Sequence, residues 1–190
     1  MKEEVNYFLK GTRVGLRELT PNDVTGNYGR WLNDKEVCKY NSHLRFPYTN
    51  DMLKQYVSNV NGSKENLVLA VIEMESREHI GNISLQNINY IDRSAELALL
   101  FGEKMYWGKG FAFEAATLII EHGFNEINLE RIYCGTSSQN ERMQHLASRL
   151  CFTKEGLRRK AIFKGGAYYD IVEYGLLKDE FNSMTNSSEI

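Results

Sequence analysis

The chain has 190 residues, of which 42% are hydrophobic and 25% charged, with a net charge of −2. Those values fit one globular domain with a full core and exclude a general polyanion-binding field, while a local basic patch stays open. No apolar run approaches the ~18 residues of a membrane span, and Met1-Lys2-Glu3-Glu4 does not read as a signal-peptide start. Neither a membrane nor a nucleic-acid partner is therefore expected.

From the N-terminus, Val14 to Leu19 alternates apolar with polar residues and reads as a first strand. Thr20-Pro21-Asn22-Asp23 starts a helix: a capping threonine, a proline in the first turn and an acid near the N-terminus. That helix is expected to run to about Asn33-Asp34, with a second short one over Glu36 to Tyr40 and a loop from Asn41 to Tyr48. Thr49 or Asn50 caps a helix through Val60, with Met52, Leu53, Tyr56, Val57 and Val60 on one side. Asn61-Gly62-Ser63 breaks the pattern.

Three strands follow, at Leu67 to Met74, Ile80 to Ile88 and Arg93 to Gly102; the last sets Ala95, Leu97, Leu99 and Phe101 on one face. Lys109 to Phe124 fits a helix, Arg131 to Thr136 a strand, and Asn140 to Leu150 a short helix. Phe163 to Leu177 folds back around Lys164-Gly165-Gly166 as a hairpin. The order predicts a mixed α/β (α+β) chain, one domain over residues 1–181, and a flexible tail at 182–190. Cysteines 38, 134 and 151 are odd in number and far apart, which suits a reducing cytoplasm. The histidines have no metal spacing, so no metal is expected.

Gly108-Lys109-Gly110 invites three phosphate-binding readings. A P-loop needs glycine where Glu103 stands and Ser or Thr where Gly110 stands. A dinucleotide fingerprint needs a small residue where Phe113 stands. A strand, a glycine turn and a helix need neither: the turn leaves free N–H groups at a helix N-terminus, where an anion satisfies them. Such a turn also serves as a turn and nothing more.

The stretch from Glu96 to Ala112 closely resembles the acetyl-CoA-binding motif of the GNAT N-acetyltransferase superfamily, Gln/Arg-x-x-Gly-x-Gly/Ala. It departs at the first position, where Trp107 replaces Gln or Arg. Tyr106-Trp107-Gly108-Lys109-Gly110-Phe111-Ala112 is similar to the branch containing the ribosomal-protein N-terminal acetyltransferases. So are Trp31-Leu32-Asn33-Asp34-x-Glu36-Val37, Asn140-Glu141-Arg142 with Leu146, Leu150 and Phe152, Glu155-Gly156-x-Arg158, and Gly166-x-Tyr168-x-Asp170, in order and spacing. The resemblance implies a mostly antiparallel sheet of about seven strands flanked by helices, with a splayed strand pair holding acetyl-CoA. Backbone near Leu99, Leu100 and Phe101 would pair with the pantetheine arm. Gly108, Lys109, Gly110, Phe111 and Ala112 would hold the pyrophosphate, and Asn140 would lie beside the pantetheine or a water.

Acetyl transfer to an amine requires a route for the amine's proton and a donor for the developing oxyanion. Glu96 is the candidate base, its parity opposite to Leu97, Leu99 and Phe101; the plain alternative is a solvated carboxylate pairing with Arg93. Glu103 reads as a surface residue. Asn140 is the second candidate catalytic residue, and it also suits a helix N-cap. The tyrosine that many members carry seven residues later is Ala147 here, so no general acid is assigned. Cys134 and Cys151 read as packed thiols.

The acceptor pocket is expected between the N-terminal helices and the C-terminal hairpin, from Trp31, Tyr40, Tyr48, Tyr168 and Asp170, although aromatics there also pack helices onto a sheet. Asp170 has a structural alternative, a pair with Arg158. The expected function is acetyl transfer from acetyl-CoA, a dissociable co-substrate, to a primary amine in a ternary complex. The acceptor is a protein N-terminus or a small molecule: an amino sugar, an antibiotic or a polyamine. A catalytically inactive acyl-CoA sensor is the non-enzymatic alternative. A monomer or a homodimer is compatible with an exposed strand edge.

Overall fold

The computed structural model describes residues 6–187, so Met1-Lys2-Glu3-Glu4 and the end of the expected tail lie outside the described residues. Strands β1 (Leu9–Lys10), β2 (Val14–Glu18), β3 (Leu67–Glu73), β4 (His79–Asn89), β5 (Ser94–Phe101), β6 (Arg131–Ser137), β7 (Thr153–Lys164) and β8 (Ala167–Leu177) form one sheet, ordered β1-β2-β3-β4-β5-β6-β8-β7. All neighbours are antiparallel except β5 and β6. The mixed class is as expected. The eighth strand is β1, whose two residues are too few to show a period.

Between β2 and β3 the chain is helical from Pro21 to Leu32, as α1 (Pro21–Asp23), a wider π turn (Val24–Tyr28) and α2 (Gly29–Leu32). Gly26, with ψ −133°, breaks the helical backbone within it. The short helix expected over Glu36 to Tyr40 is a set of turns instead. Asp34 Oδ1 accepts the N–H groups of Glu36 and Val37 (2.7 and 3.1 Å), and this side-chain competition diverts the backbone. Helix α3 (Asn50–Asn61) is capped by Thr49, whose Oγ1 accepts from Met52 N. Leu53 and Val57 are its buried residues, while Met52 lies on its outer side. Helices α4 (Phe111–Asn125), α5 (Glu141–Arg149) and α6 (Lys178–Ser187) complete the chain. Residues 182–187, read from sequence as tail, are the second half of α6, which Phe181 anchors 5.6 Å from the Phe124 ring.

Strand alternation divides the core into two layers. Leu69 and Val71 of β3 face α4 with Ile83, Leu85, Ala95, Leu97 and Ile132. Val68, Ala70 and Ile72 face the other way, onto Leu19, Val24, Trp31, Leu32, Leu53 and Val57. Buried on both faces, β3 reads as a continuous apolar run for that reason.

The N-terminal helical segment is pinned by one carboxylate. Asp23 accepts both arms of the Arg17 guanidinium (2.8 and 2.7 Å) and the Thr20 N–H (2.7 Å). Burial alone would raise its pKa, but the bonds from Arg17 and Thr20, with the His79 ring 3.2 Å away, outweigh it and hold the carboxyl well below its usual range. A depressed folded pKa contributes stability above the unfolded value of about 3.9 and loses it as pH falls below that. Asp23→Asn is therefore expected to destabilise by about 3 kcal/mol at neutral pH, with the gap to the parent narrowing in acid. Urea unfolding at pH 7 and pH 3 checks this; an equal gap at both would contradict it.

Strands β5 and β6 pair in parallel over three residues only, Ser94↔Arg131, Ala95↔Ile132 and Glu96↔Tyr133. Beyond them β5 stays on β4 as far as Phe101, and β6 stays on β8 as far as Ser137. The sheet is split from Leu97 onward.

Candidate functional site

Three features meet at the open end of this split: the end of β5, the start of α4 and the start of α5. The segment Gly108-Lys109-Gly110 enters α4 with φ +72° at Gly108 and +88° at Gly110. Glycine is needed at both, because a side chain in the left-handed region is strained. Among the described residues, chain neighbours aside, no atom lies within 4 Å of where a Cβ on Gly108 would stand, so its outer side is open. The first helical bond is Glu114 N–H to Gly110 O (3.1 Å), and among the described residues no protein acceptor takes the N–H groups of Gly108 through Ala112. Two guanidiniums add positive charge: Arg13 lies 4.0 Å over the Phe111 ring and donates to Lys109 O (3.0 Å), and Arg142 lies 4.8 Å over Trp107. These residues suit a pyrophosphate.

Trp107, the departure from the family motif, donates from Nε1 to Phe101 O (2.8 Å) and ties the loop to the end of β5. Arg93 O accepts from Glu130 and Arg131 N–H on the β6 side, whereas Gly102 N–H donates to Ile80 O on the β4 side. Backbone groups alternate sides along a strand, so residues 97, 99 and 101 turn theirs to the split. Leu99 and Phe101 thus face it. Leu100 turns its backbone to β4, unlike the sequence expectation, and the Phe101 carbonyl is already engaged by Trp107.

Glu96 is the last β5 residue paired with β6, directly beside Tyr133. It lies on the face of Leu100, toward the N-terminal helices, as parity requires. Asn87 Nδ2 donates to its Oε2 (3.1 Å); Arg93 pairs with Glu130 instead. Burial, then the charge of Glu96, raises the Tyr133 phenol, and the same two causes push the Cys134 thiol up to about 12. Cys134 is a core thiol, not a nucleophile. Asn140 caps α5: its Oδ1 accepts from Met143 N (3.3 Å) and its Nδ2 donates to Thr136 Oγ1 (3.1 Å), which fixes it at the end of β6. Ala147 is buried in the core, so α5 offers no acid there.

Sequence reasoning missed a polar row beside Glu96. Asn82, Ser84 and Gln86 of β4 stand opposite Leu100, Ala98 and Glu96 on the same face. Ser84 Oγ donates to Ala98 O and accepts from Gln86 Nε2, and Asn82 Oδ1 lies 2.7 Å from His79 Nε2. Alternation of these three with Ile83 and Leu85 was the legible signal.

The acceptor residues divide. Trp31 is 3% exposed: its ring lies over Gly102, and its Nε1 donates to Glu103 Oε1 (2.9 Å). It is a packing residue, and Glu103 is its partner rather than a free surface acid. A Cβ on Gly102 would lie 1.9 Å from Trp31 Cδ2, so Gly102→Ala is expected to destabilise by roughly 1–3 kcal/mol. Thermal unfolding would register this as about 2–4 °C per kcal/mol, and an unchanged Tm would contradict it. Tyr48 bonds through its hydroxyl to His43 Nδ1 (2.8 Å), and Tyr40 lies under Lys39 (5.0 Å). Tyr168 is exposed at the hairpin tip, 4.9 Å from the Phe163 ring. Asp170 accepts the Lys160 N–H (2.8 Å) at an irregularity in β7 and so shapes the hairpin; Arg158 pairs with Glu173.

A split parallel pair ending at a glycine turn with free N–H groups defines a class. The acetyltransferase (GNAT) domain model matches residues 13–153. The chain is 33% identical over 174 residues to "Uncharacterized N-acetyltransferase p20" of Bacillus licheniformis, covering 89% of this chain and 95% of that one. It is 26% identical over 149 residues to spermidine N(1)-acetyltransferase of Vibrio cholerae, covering 78% and 84%. Among solved structures, a Vibrio cholerae spermidine N-acetyltransferase in complex with CoA and spermine superposes with a TM-score of 0.81 at 25% identity, over 90% of this chain and 99% of that one. The chain belongs to the GNAT acetyltransferase family, and the protein is an N-acetyltransferase.

Proposed function

We propose that the protein moves an acetyl group from acetyl-CoA directly to a primary amine, with both substrates bound at once. The observation that carries this is the split between β5 and β6, which ends at the glycine turn. The N–H groups of Gly108 to Ala112 hold the pyrophosphate where the α4 dipole favours negative charge. Backbone groups of Leu99 and Phe101 pair with the pantetheine arm as an added strand would. The co-substrate supplies the activated acetyl group. Glu96, at the closed end of the split, takes the amine's proton through water. Asn140 orders the other wall by tying α5 to Thr136. Direct transfer fits a Cys134 that is buried in the core, with its thiol pushed up to about 12 by burial and then by the charge of Glu96.

The acceptor is a protein N-terminus or a small-molecule amine. The motif set supports the first. The spermine in the Vibrio cholerae complex brings the second into the comparison. Free cysteines at 38, 134 and 151 suit a cytoplasmic setting; among the described residues, no helix is long and apolar enough to cross a membrane. The test is release of free thiol from acetyl-CoA across a panel of peptides, amino sugars and polyamines. Release with one amine class supports the transfer; no release with any, despite CoA binding, would contradict it.

A further inference from the structure

Strand register sets Tyr133 beside Glu96. They are the last pair of the parallel β5–β6 ladder, at the closed end of the split, and paired residues point to the same face of a sheet. That face is opposite to the one carrying Ile132 and Cys134, which belong to the α4 layer. Adjacent strands lie about 4.8 Å apart, a span that one water bridges. On its other side Tyr133 pairs with Gly175, which has no side chain, and the Arg131–Glu155 ion pair lies over that glycine. The charged groups around the phenol are therefore Glu96 of β5, Arg131 of β6 and Glu155 of β7, the last two satisfied by each other (2.6 Å).

Tyr133 is half-buried, and among the described residues its hydroxyl makes no hydrogen bond, whereas those of Tyr48, Tyr106 and Tyr174 each have a partner. Glu96 has an oxygen to spare: Asn87 engages Oε2, and among the described residues nothing engages Oε1.

Acyl transfer needs more than a base. The C–S bond breaks with its electron pair on sulfur, and that charge calls for a proton. Helix α5 has none to give at the buried Ala147. A phenol alone is a weak source, since phenols ionise near pH 10 and thiols near 8.5. A carboxylic acid ionises near 4.3, so a proton passed from carboxyl through phenol to thiolate runs downhill by about four powers of ten.

Resting on the transferase reading above, we propose that Tyr133 is a catalytic residue that protonates the leaving sulfur and is refilled by Glu96 within the same turnover. The amine's lone pair attacks the acyl carbon, the C–N bond forms and the C–S bond breaks. The amine's proton passes through water to Glu96. The Tyr133 hydroxyl proton passes to sulfur, and the proton on Glu96 returns to the phenolate. One proton has moved from nitrogen to sulfur, and both residues end as they began. Burial and the charge of Glu96 raise the phenol and keep it protonated beforehand. Once Glu96 has taken the amine's proton that charge is gone, and the phenol yields its own more readily.

The experiment places 3-fluorotyrosine at position 133 of the full chain and follows its fluorine resonance. The phenol is expected to titrate at lower pH in the Glu96→Gln background, and the resonance to move on adding CoA but not desulfo-CoA, which lacks the sulfur. An unchanged titration, or equal responses to the two ligands, would overturn the inference. In kinetics, Tyr133→Phe should lower kcat by about 10²-fold with little change in the KM for acetyl-CoA. Glu96→Gln/Tyr133→Phe should fall little below the worse single variant, because two residues that pass one proton act as a unit. Undiminished kcat in Tyr133→Phe, or a double variant at the product of the two single losses, would overturn the relay while leaving the transferase reading standing. Absence of CoA binding by the parent would remove both.

Discussion

Gly110→Val is expected to abolish most CoA affinity while leaving a folded protein. At φ +88° a β-branched residue is strained, and the nearest atom to its Cβ, Arg13 Nη1, is 3.6 Å away, so the added methyls project into space rather than core. The strain is of order 1–3 kcal/mol and the core is untouched. The methyls would instead stand among the N–H groups of residues 108–112. Hydrogen bonds to a charged group contribute about 1.5–3 kcal/mol each, and losing two weakens binding by roughly a hundredfold or more. Calorimetric titration of CoA into the folded variant reads this directly. Affinity equal to the parent's would mean that the turn is only a turn.

Glu96→Gln is expected to lower kcat by about 10²–10⁴-fold, and unevenly with pH. An α-amine has a pKa of about 7.7–8.0 and a lysine-type amine about 10.4, so at neutral pH the acceptor arrives largely protonated. With the carboxylate in place, the proton has somewhere to go. Without it, the rate follows the free-amine fraction alone and rises about tenfold per pH unit up to the amine's pKa. The parent-to-variant ratio should therefore be largest at low pH and shrink as pH rises. Glutamine keeps the size of Glu96 and its bond with Asn87, so the comparison isolates charge. Parallel pH–rate profiles would assign Glu96 to the structure of the strand instead.

Local rules carried much of the fold. Alternation placed β2 and β5, a dense run of strand formers placed β3, and the Thr20–Asp23 pattern placed the first helix because its capping bonds are made by neighbours in sequence. Where long-range partners decide, the sequence was silent. The turns after α2 depend on Asp34 side-chain bonds and on Lys104, about seventy residues away. Trp31 resembled a pocket aromatic until Gly102 and Glu103, distant in sequence, proved to be its seat. A cleft lined by Lys35, Lys39, Arg45 and Lys164 was invisible for the same reason: its walls come from residues 35–45 and 163–165, and the overall charge gives no hint of it. The site loop was legible because glycine's backbone freedom is a property of the residue itself.

Hydrogen–deuterium exchange with and without CoA tests the placement of the co-substrate most directly. Slower exchange is predicted at residues 97, 99 and 101 of β5 and at 108–112 at the start of α4, because these carry the backbone groups turned to the split and the turn. Protection confined to other segments, with these two unchanged by saturating CoA, would contradict it.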